Sequence, residues 1–366
     1  MKIACSHELL LNAINIVSKA VPTRTTLPVL ECFLLTADEN GLKITANDME
    51  LAIESNYIEA DVQEAGIVAL EAKFFSDIIR KIDGDELRIY VDEKSIATIK
   101  CNKSEFKMSG LDGEDFPPVP TIETDSKFVI SQSDLRNLIR QTIFSVSQDE
   151  SKQVLTGELI EIENNIMNMV SVDGYRISYK EAELIESIGA KRVIIPGKSL
   201  NEISKILSNE DDEKVYIYFT DNHVMFDING YIVVSRILHG EFIKYQQSFT
   251  NDFKTVVKIN RAELLLSLER ASLISRDSRK IPVKLEIDEN IIITSNTETG
   301  AAYEEVNAEI DGDKLTIAFN PKYLIDALKV IDDEEINMNF NTALSPCIFK
   351  PVEGESFKYL ILPLRI

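Results

Sequence analysis

The amino-acid sequence predicts an α+β protein of three similar domains, each made of two β-α-β-β-β halves. Three observations carry this. A helix, a tight turn and a strand recur in that order at three places; the copies are evenly spaced; and helices and strands do not alternate as β-α-β-α, the order of a doubly wound parallel sheet. With roughly 100 to 200 residues per domain, 366 residues suit three domains rather than one core.

The plan is plainest in residues 72–93. Phe74, Phe75, Ile78, Ile79 and Ile82 recur at helical spacing, Asp83, Gly84 and Asp85 end the helix, and Leu87, Ile89 and Val91 alternate as in a strand. The plan returns in residues 197–221 and 320–341. Lys73, Lys198 and Lys322 then fall 125 and 124 residues apart, and the same register aligns Phe75 with Leu200 and Leu324, and Arg80 with Lys205 and Lys329.

In chain order, the first domain opens with a strand over 2–5 and a helix N-capped by Ser6, with a stripe of Leu9, Leu10, Ala13, Ile16 and Val17 that Val21 and Pro22 end. Strands follow over 29–35, 42–46 and 51–57, before the helix and strand of 72–93. Residues 111–120, rich in Pro, Gly and acid, read as a linker. The second domain repeats the plan with a strand over 127–130, a helix carrying Leu135 and Ile139, and strands over 158–163, 166–172 and 177–181. Residues 240–253 read as a second linker, and the third domain follows with Leu264 and Leu268 on its first helix. The expected domains are 1–121, 128–250 and 251–366.

The composition, 44% hydrophobic and 27% charged, is that of a globular protein, and no apolar run nears the ~20 residues that span a bilayer. Polar Ser6, His7, Glu8, Asn12 and Asn15 exclude a secretory reading of the N-terminus. Four scattered cysteines form no C-x-x-C pair and predict neither a disulfide framework nor zinc, so a reducing cytoplasm is expected. The net charge of −22 argues against nucleic acid until its distribution is examined. The six predicted helices, 7–20, 72–82, 131–147, 198–208, 260–280 and 320–331, together carry +7, leaving −29 on everything else. A helix with one apolar stripe lays it on a sheet and turns its other face out, so the basic columns lie on exposed helix faces. Exposed helix positions often carry lysine with no further role. Lys73, Lys198 and Lys322, however, stand in first turns, where the macrodipole disfavours a cation by roughly 0.3 to 1 kcal/mol; phosphate at helix N-termini would give them a use.

Signatures of catalysis are missing: the chain has no phosphate-binding loop, dinucleotide fingerprint, nucleophile elbow or zinc-protease motif. The acidic run 209–213 lacks the glycine and spacing of a calcium loop and reads as a solvated turn. No cofactor and no metal are expected. At the C-terminus, Pro363 cannot donate to a ladder, so Leu362 and Leu364 either fray or line a surface groove.

Taken together, RTTLPVL from Arg24, TANDME from Thr45, KFF from Lys73, DFP from Asp115, VDGYR from Val172, Phe319 and Asn320 with Tyr323, and LPLR from Leu362 resemble the bacterial β sliding clamps, the processivity subunits of DNA polymerase III. The resemblance spans the whole chain. It implies a non-catalytic head-to-tail homodimer, a ring with helices on the inner face and antiparallel sheets outside, which encircles duplex DNA and tethers the polymerase. It implies sequence-independent contacts to double-stranded DNA from Arg24, Lys73, Arg80, Lys198, Lys205 and Lys322. It further implies that the polymerase III alpha subunit, the clamp loader, other polymerases and mismatch-repair proteins dock by a short linear motif. The groove for that motif would comprise Leu155, Val172, Gly174, Tyr175, Arg176, Ile177, Tyr323, Leu344, Leu362, Pro363 and Leu364, with Ile243 and Gln247 standing where many relatives have proline and arginine. A dimer edge is expected between Phe106, flanked by Lys100, Lys103 and Lys107, and Leu273 and Ile274, near Glu298, Glu304 and Glu305: an apolar centre with a charged rim. Two other classes stay open: an enzyme using Asp173, Tyr175 and Arg176 in a cleft, and an acidic interaction scaffold with no DNA role.

Overall fold

The computed structural model describes residues 1–122, 127–275, 281–298 and 300–365. The end of the helix expected over 260–280, and Ile366, lie outside the described residues. Six α-helices are described: α1 His7–Val17, α2 Ala72–Lys81, α3 Gln132–Thr142, α4 Gly197–Ser204, α5 Arg261–Ser272 and α6 Pro321–Val330. Five start directly after a strand and α6 one residue later, as the repeat requires. All strand pairing between them is antiparallel, so the α+β class holds.

Apolar spacing decides which helix face is buried. In α1, Ser6 accepts from the Leu9 N–H as N-cap, and Leu10, Ala13, Ile14 and Val17 are buried. Leu9 is exposed, so the expected stripe is rotated toward Ile14. In α2, Phe75, Ile78 and Ile79 are buried, with Phe75 meeting Phe33 edge to face at 6.4 Å, whereas Phe74 points outward. Each fully buried aliphatic or aromatic side chain of this kind contributes about 1.5 to 3 kcal/mol. The basic columns hold their register: Lys73, Lys198 and Lys322 are each the second residue of a helix.

The chain forms two compact units. The first contains residues 1–133, 185–188 and 202–237. Its five-stranded sheet runs in the order Ala60–Glu64, Lys2–Ser6, Glu86–Val91, Ile96–Cys101, Ser104–Ser109. Its nine-stranded sheet runs Leu111–Asp112, Gly66–Glu71, Cys32–Asp38, Gly41–Asn47, Leu51–Glu54, Tyr231–Arg236, His223–Ile228, Lys214–Phe219, Lys127–Ser131. The join is a ladder from Leu51–Glu54 to Tyr231–Arg236, which makes one sheet of strands from two sequence copies. Three local expectations are revised here. Pro28, with its fixed φ, starts a 3-10 turn Pro28–Glu31, so the expected strand over 29–35 begins only at Cys32. The strand expected over 51–57 ends at Glu54. The expected linker 111–120 is built in: Leu111–Asp112 pairs with the strand Gly66–Glu71, and Phe116 is buried against Cys32 and Ala69.

The second unit contains residues 134–184, 189–201 and 238–366. Its nine-stranded sheet runs Lys191–Pro196, Gly157–Glu163, Ile166–Val172, Arg176–Glu183, Phe357–Ile361, Cys347–Pro351, Glu335–Phe340, Thr255–Asn260, Ala308–Gly312. A four-stranded sheet runs Gly300–Val306, Ile291–Thr297, Val283–Ile287, Leu315–Phe319. The core joins Leu264 and Leu268 of α5, Leu324 and Leu328 of α6, and strand residues including Phe319, Phe340 and Phe349. A second cluster holds Leu159, Val172, Ile177 and Leu360 with Phe242 and Tyr245, so the expected linker 240–253 is anchored by two buried rings. All four cysteines are buried free thiols. No described helix is long and apolar enough to cross a membrane.

Candidate partner groove and basic helix positions

The strands Ile166–Val172 and Arg176–Glu183 form a hairpin whose Val172 pairs with Ile177. Its loop, Asp173, Gly174 and Tyr175, requires a left-handed residue, and Gly174 supplies it at φ +95°. Asp173 stitches the loop: Oδ1 accepts from the Tyr175 and Arg176 N–H groups, at 2.9 and 3.1 Å. Tyr175 is thereby held 58% exposed, while Val172 and Ile177 go into the cluster beneath.

Arg176 is the anchor. Its side chain is 8% exposed. Nε donates to Asp173 Oδ2 at 2.9 Å, Nη1 to Asp326 Oδ2 at 2.8 Å and Nη2 to the Phe144 carbonyl at 2.6 Å. A buried guanidinium is costly unless its donors are met, and these acceptors meet it at every nitrogen. The flat cation also lies over two rings, 4.6 Å from the Tyr323 centroid and 5.3 Å from that of Phe144. Tyr323 in turn stacks on Tyr175, with burial as the main reason its phenol pKa is raised. Arg176 and Asp173, read as cleft chemistry in the enzyme alternative, are committed to holding this loop.

The C-terminal tail completes the wall. After the strand Phe357–Ile361, which pairs Ile361 with Arg176, the Leu362 N–H donates to the Tyr175 carbonyl at 2.9 Å and the Leu364 N–H to the Ala318 carbonyl at 2.8 Å. Pro363 sits between, where no N–H is needed. The tail is pinned rather than frayed, and Leu362 and Leu364 stay 39% and 36% exposed. Tyr175, Arg176, Tyr323 and Leu362 are thus brought together; Leu155, Val172 and Ile177 belong to the underlying cluster; Ile243 and Gln247 are exposed beside buried Phe242. Leu344 is exposed on the loop after the strand Glu335–Phe340. Sequence reasoning missed Phe144 and Asp326. Asp326 carried one signal, its place four residues after Lys322; a backbone carbonyl acceptor at Phe144 carries none.

Arg24, Lys73, Arg80, Lys198, Lys205 and Lys322 are all exposed. The idea that phosphate sits on the helix N-termini that carry Lys73, Lys198 and Lys322 is revised at two of the three. At α2 the Glu71 carboxylate accepts from the Lys73 and Phe74 N–H groups, and at α6 the Asn320 amide oxygen accepts from Lys322 N–H. These ends are already capped, and Glu71 also offsets the cation beside it. Lys205 pairs with Glu202 at 2.6 Å, and Arg80 reaches Asn15 Oδ1 at 3.4 Å.

At the expected dimer edges, Phe106 is 37% exposed on Ser104–Ser109, the last strand of its sheet, and Leu273 is 49% exposed after α5. Lys100 and Lys107 both pair with Glu105. Glu304 is drawn back to Arg270, which lowers its pKa, whereas Glu305 accepts from Asn290. Glu298 and Lys103 are exposed.

Three family models match in succession: DNA polymerase III beta subunit, N-terminal domain over 1–120, central domain over 129–244 and C-terminal domain over 246–365. The chain is 34% identical to the Beta sliding clamp of Staphylococcus epidermidis, covering 100% of this chain and 99% of the relative. It superposes on the DNA polymerase sliding clamp of Bacillus subtilis with TM-score 0.96 at 35% identity, covering 100% and 99%. The DNA polymerase beta subunit of Streptococcus pyogenes gives 0.95 at 28%, covering all of both chains.

Proposed function

Since the chain belongs to the DNA polymerase III beta-subunit family, the non-catalytic sliding clamps of DNA replication, we propose that it works as a ring-shaped homodimer around duplex DNA. It acts in the cytoplasm and tethers the replicative polymerase by a peptide docked on the Tyr175 and Tyr323 groove. The domains are 1–121, 128–250 and 251–366. The single observation that carries the ring is the pair of sheet edges: Ser104–Ser109 and Gly300–Val306 each end their sheet. An edge strand displays unpaired N–H and C=O groups, and one with exposed apolar side chains calls for a partner. Joining the first edge of one subunit to the second of another extends both sheets, sets Phe106 against Leu273 and Ile274, and matches Lys103 and Lys107 to Glu298 and Glu305.

DNA is held by topology rather than affinity. The six described helices carry a net charge of only +3, with −25 on the rest of the chain, and give no strong phosphate binding. Arg24, Lys73, Arg80, Lys198, Lys205 and Lys322 need only offset the repulsion of an acidic body and let it slide. After loading by the clamp loader, the protein should stay on circular DNA in high salt, because salt screens phosphate contacts without opening the ring, and leave once a restriction cut supplies an end. Equal loss from circle and line would mean ordinary surface binding. The alpha subunit, other polymerases and mismatch-repair proteins share the same groove.

A further inference from the structure

Asp326 Oδ2 accepts from two cations at once, Arg176 Nη1 at 2.8 Å and Lys322 Nζ at 2.5 Å. Arg176 is buried, whereas the Lys322 side chain is 67% exposed. One carboxylate oxygen therefore ties an exposed lysine to the residue beneath Tyr323.

We propose that Asp326 couples Lys322 to the partner groove, so that a phosphate drawing Lys322 away tightens the groove. This rests on the docking and DNA readings above. Two cations on one oxygen repel each other and divide its charge. When Lys322 turns to an external anion, Asp326 serves Arg176 alone and the repulsion on the guanidinium falls. Arg176 is then held harder against Asp173, Asp326 and the Phe144 carbonyl, and with it the Tyr323 ring 4.6 Å above and the Tyr175 ring stacked on that. A groove already fixed in its bound form costs less to occupy. By linkage, a bound peptide favours the phosphate-seeking state of Lys322 by the same factor. Asp326 is a positioning residue: it touches neither peptide nor DNA.

The test is a double-mutant cycle on the full-length protein. A fluorescein-labelled peptide from the polymerase III alpha subunit of the same organism is titrated against wild type, Lys322→Ala, Asp326→Asn and the double variant, each with and without a short duplex oligonucleotide. Lys322→Ala should tighten the peptide about two- to five-fold, the scale of one exposed ion pair, and should do nothing once Asp326 is Asn. Duplex should tighten wild type by a similar factor and leave Lys322→Ala unchanged. An effect of Lys322→Ala that is absent, or equal in both backgrounds, overturns the coupling. A non-additive cycle with no response to duplex upholds the link between Lys322 and the groove but overturns its control by DNA phosphate. The ¹⁹F signals of fluorotyrosine at 175 and 323 give the same cycle without peptide, so a failed docking reading would not decide the matter.

Discussion

The ring of Tyr175 stacks on that of Tyr323, centroids 6.0 Å apart and planes 22° from parallel, although the two residues lie on a hairpin loop and on a helix. Such pairs contribute about 0.5 to 1.5 kcal/mol beyond buried area, and here the outer ring remains largely in solvent. In the proposed docking mode this stack is the preformed shelf for an apolar side chain of the peptide. Tyr323→Ala should weaken an apolar partner peptide at least about ten-fold, the usual cost of losing one central anchor. Removing residues 362–366 should abolish polymerase stimulation yet leave the dimer intact. Calorimetry and primer extension measure these; unchanged stimulation would place docking elsewhere.

Arg176→Met leaves Asp173 part-buried without its cation and Asp326 with Lys322 alone. Breaking a buried pair from one side costs about 3 to 5 kcal/mol, a large share of the stability of a domain. Urea unfolding should show that loss, and Arg176→Lys should recover only part of it, since an ammonium cannot reach three acceptors in one plane. Full stability of Arg176→Met would contradict the anchoring role.

Glu158 is fully buried, donated to by Thr142 Oγ1 at 2.5 Å, with Oε1 lacking a hydrogen-bond partner among the described residues. Burial pushes its pKa up to about 8. The folded value exceeds the unfolded one, so its contribution is whole below about pH 4.3 and is lost as pH rises toward 8, by at most about 1.4 kcal/mol per pH unit. Glu158→Gln should flatten that part of the stability profile between pH 5 and 8. An unchanged slope would mean that Glu158 does not titrate there.

Phe106→Ala combined with Ile274→Ala should give monomers by light scattering, because both apolar centres of the proposed edge contact are removed while the charges remain. A persistent dimer would rule out this pairing of edges.

Local periodicity made the helices legible: all six were foreseen, and Lys73, Lys198 and Lys322 share one helical position. The same reasoning misplaced Leu9 and Phe74, since an apolar residue beside a stripe reads like a member of it. Sheet continuity was not legible, because the register of Leu51 with Ser235 depends on distant pairing that no local pattern encodes. In the groove, the motif marked Tyr175, Arg176 and Tyr323, but the acceptors around the guanidinium are set by tertiary geometry. Asp326, four residues after Lys322, was not singled out at all.

The ladder between Leu51–Glu54 and Tyr231–Arg236 bears on how the chain acquires its structure. The first nine-stranded sheet cannot close until the strand Tyr231–Arg236 has been synthesised, long after Leu51–Glu54. Closing so long a loop is entropically costly and slow. Until then Leu51–Glu54 is an open edge, available to another nascent chain. A fragment ending at residue 122 would keep that edge permanently and should aggregate, whereas the whole chain covers it with its own later strand.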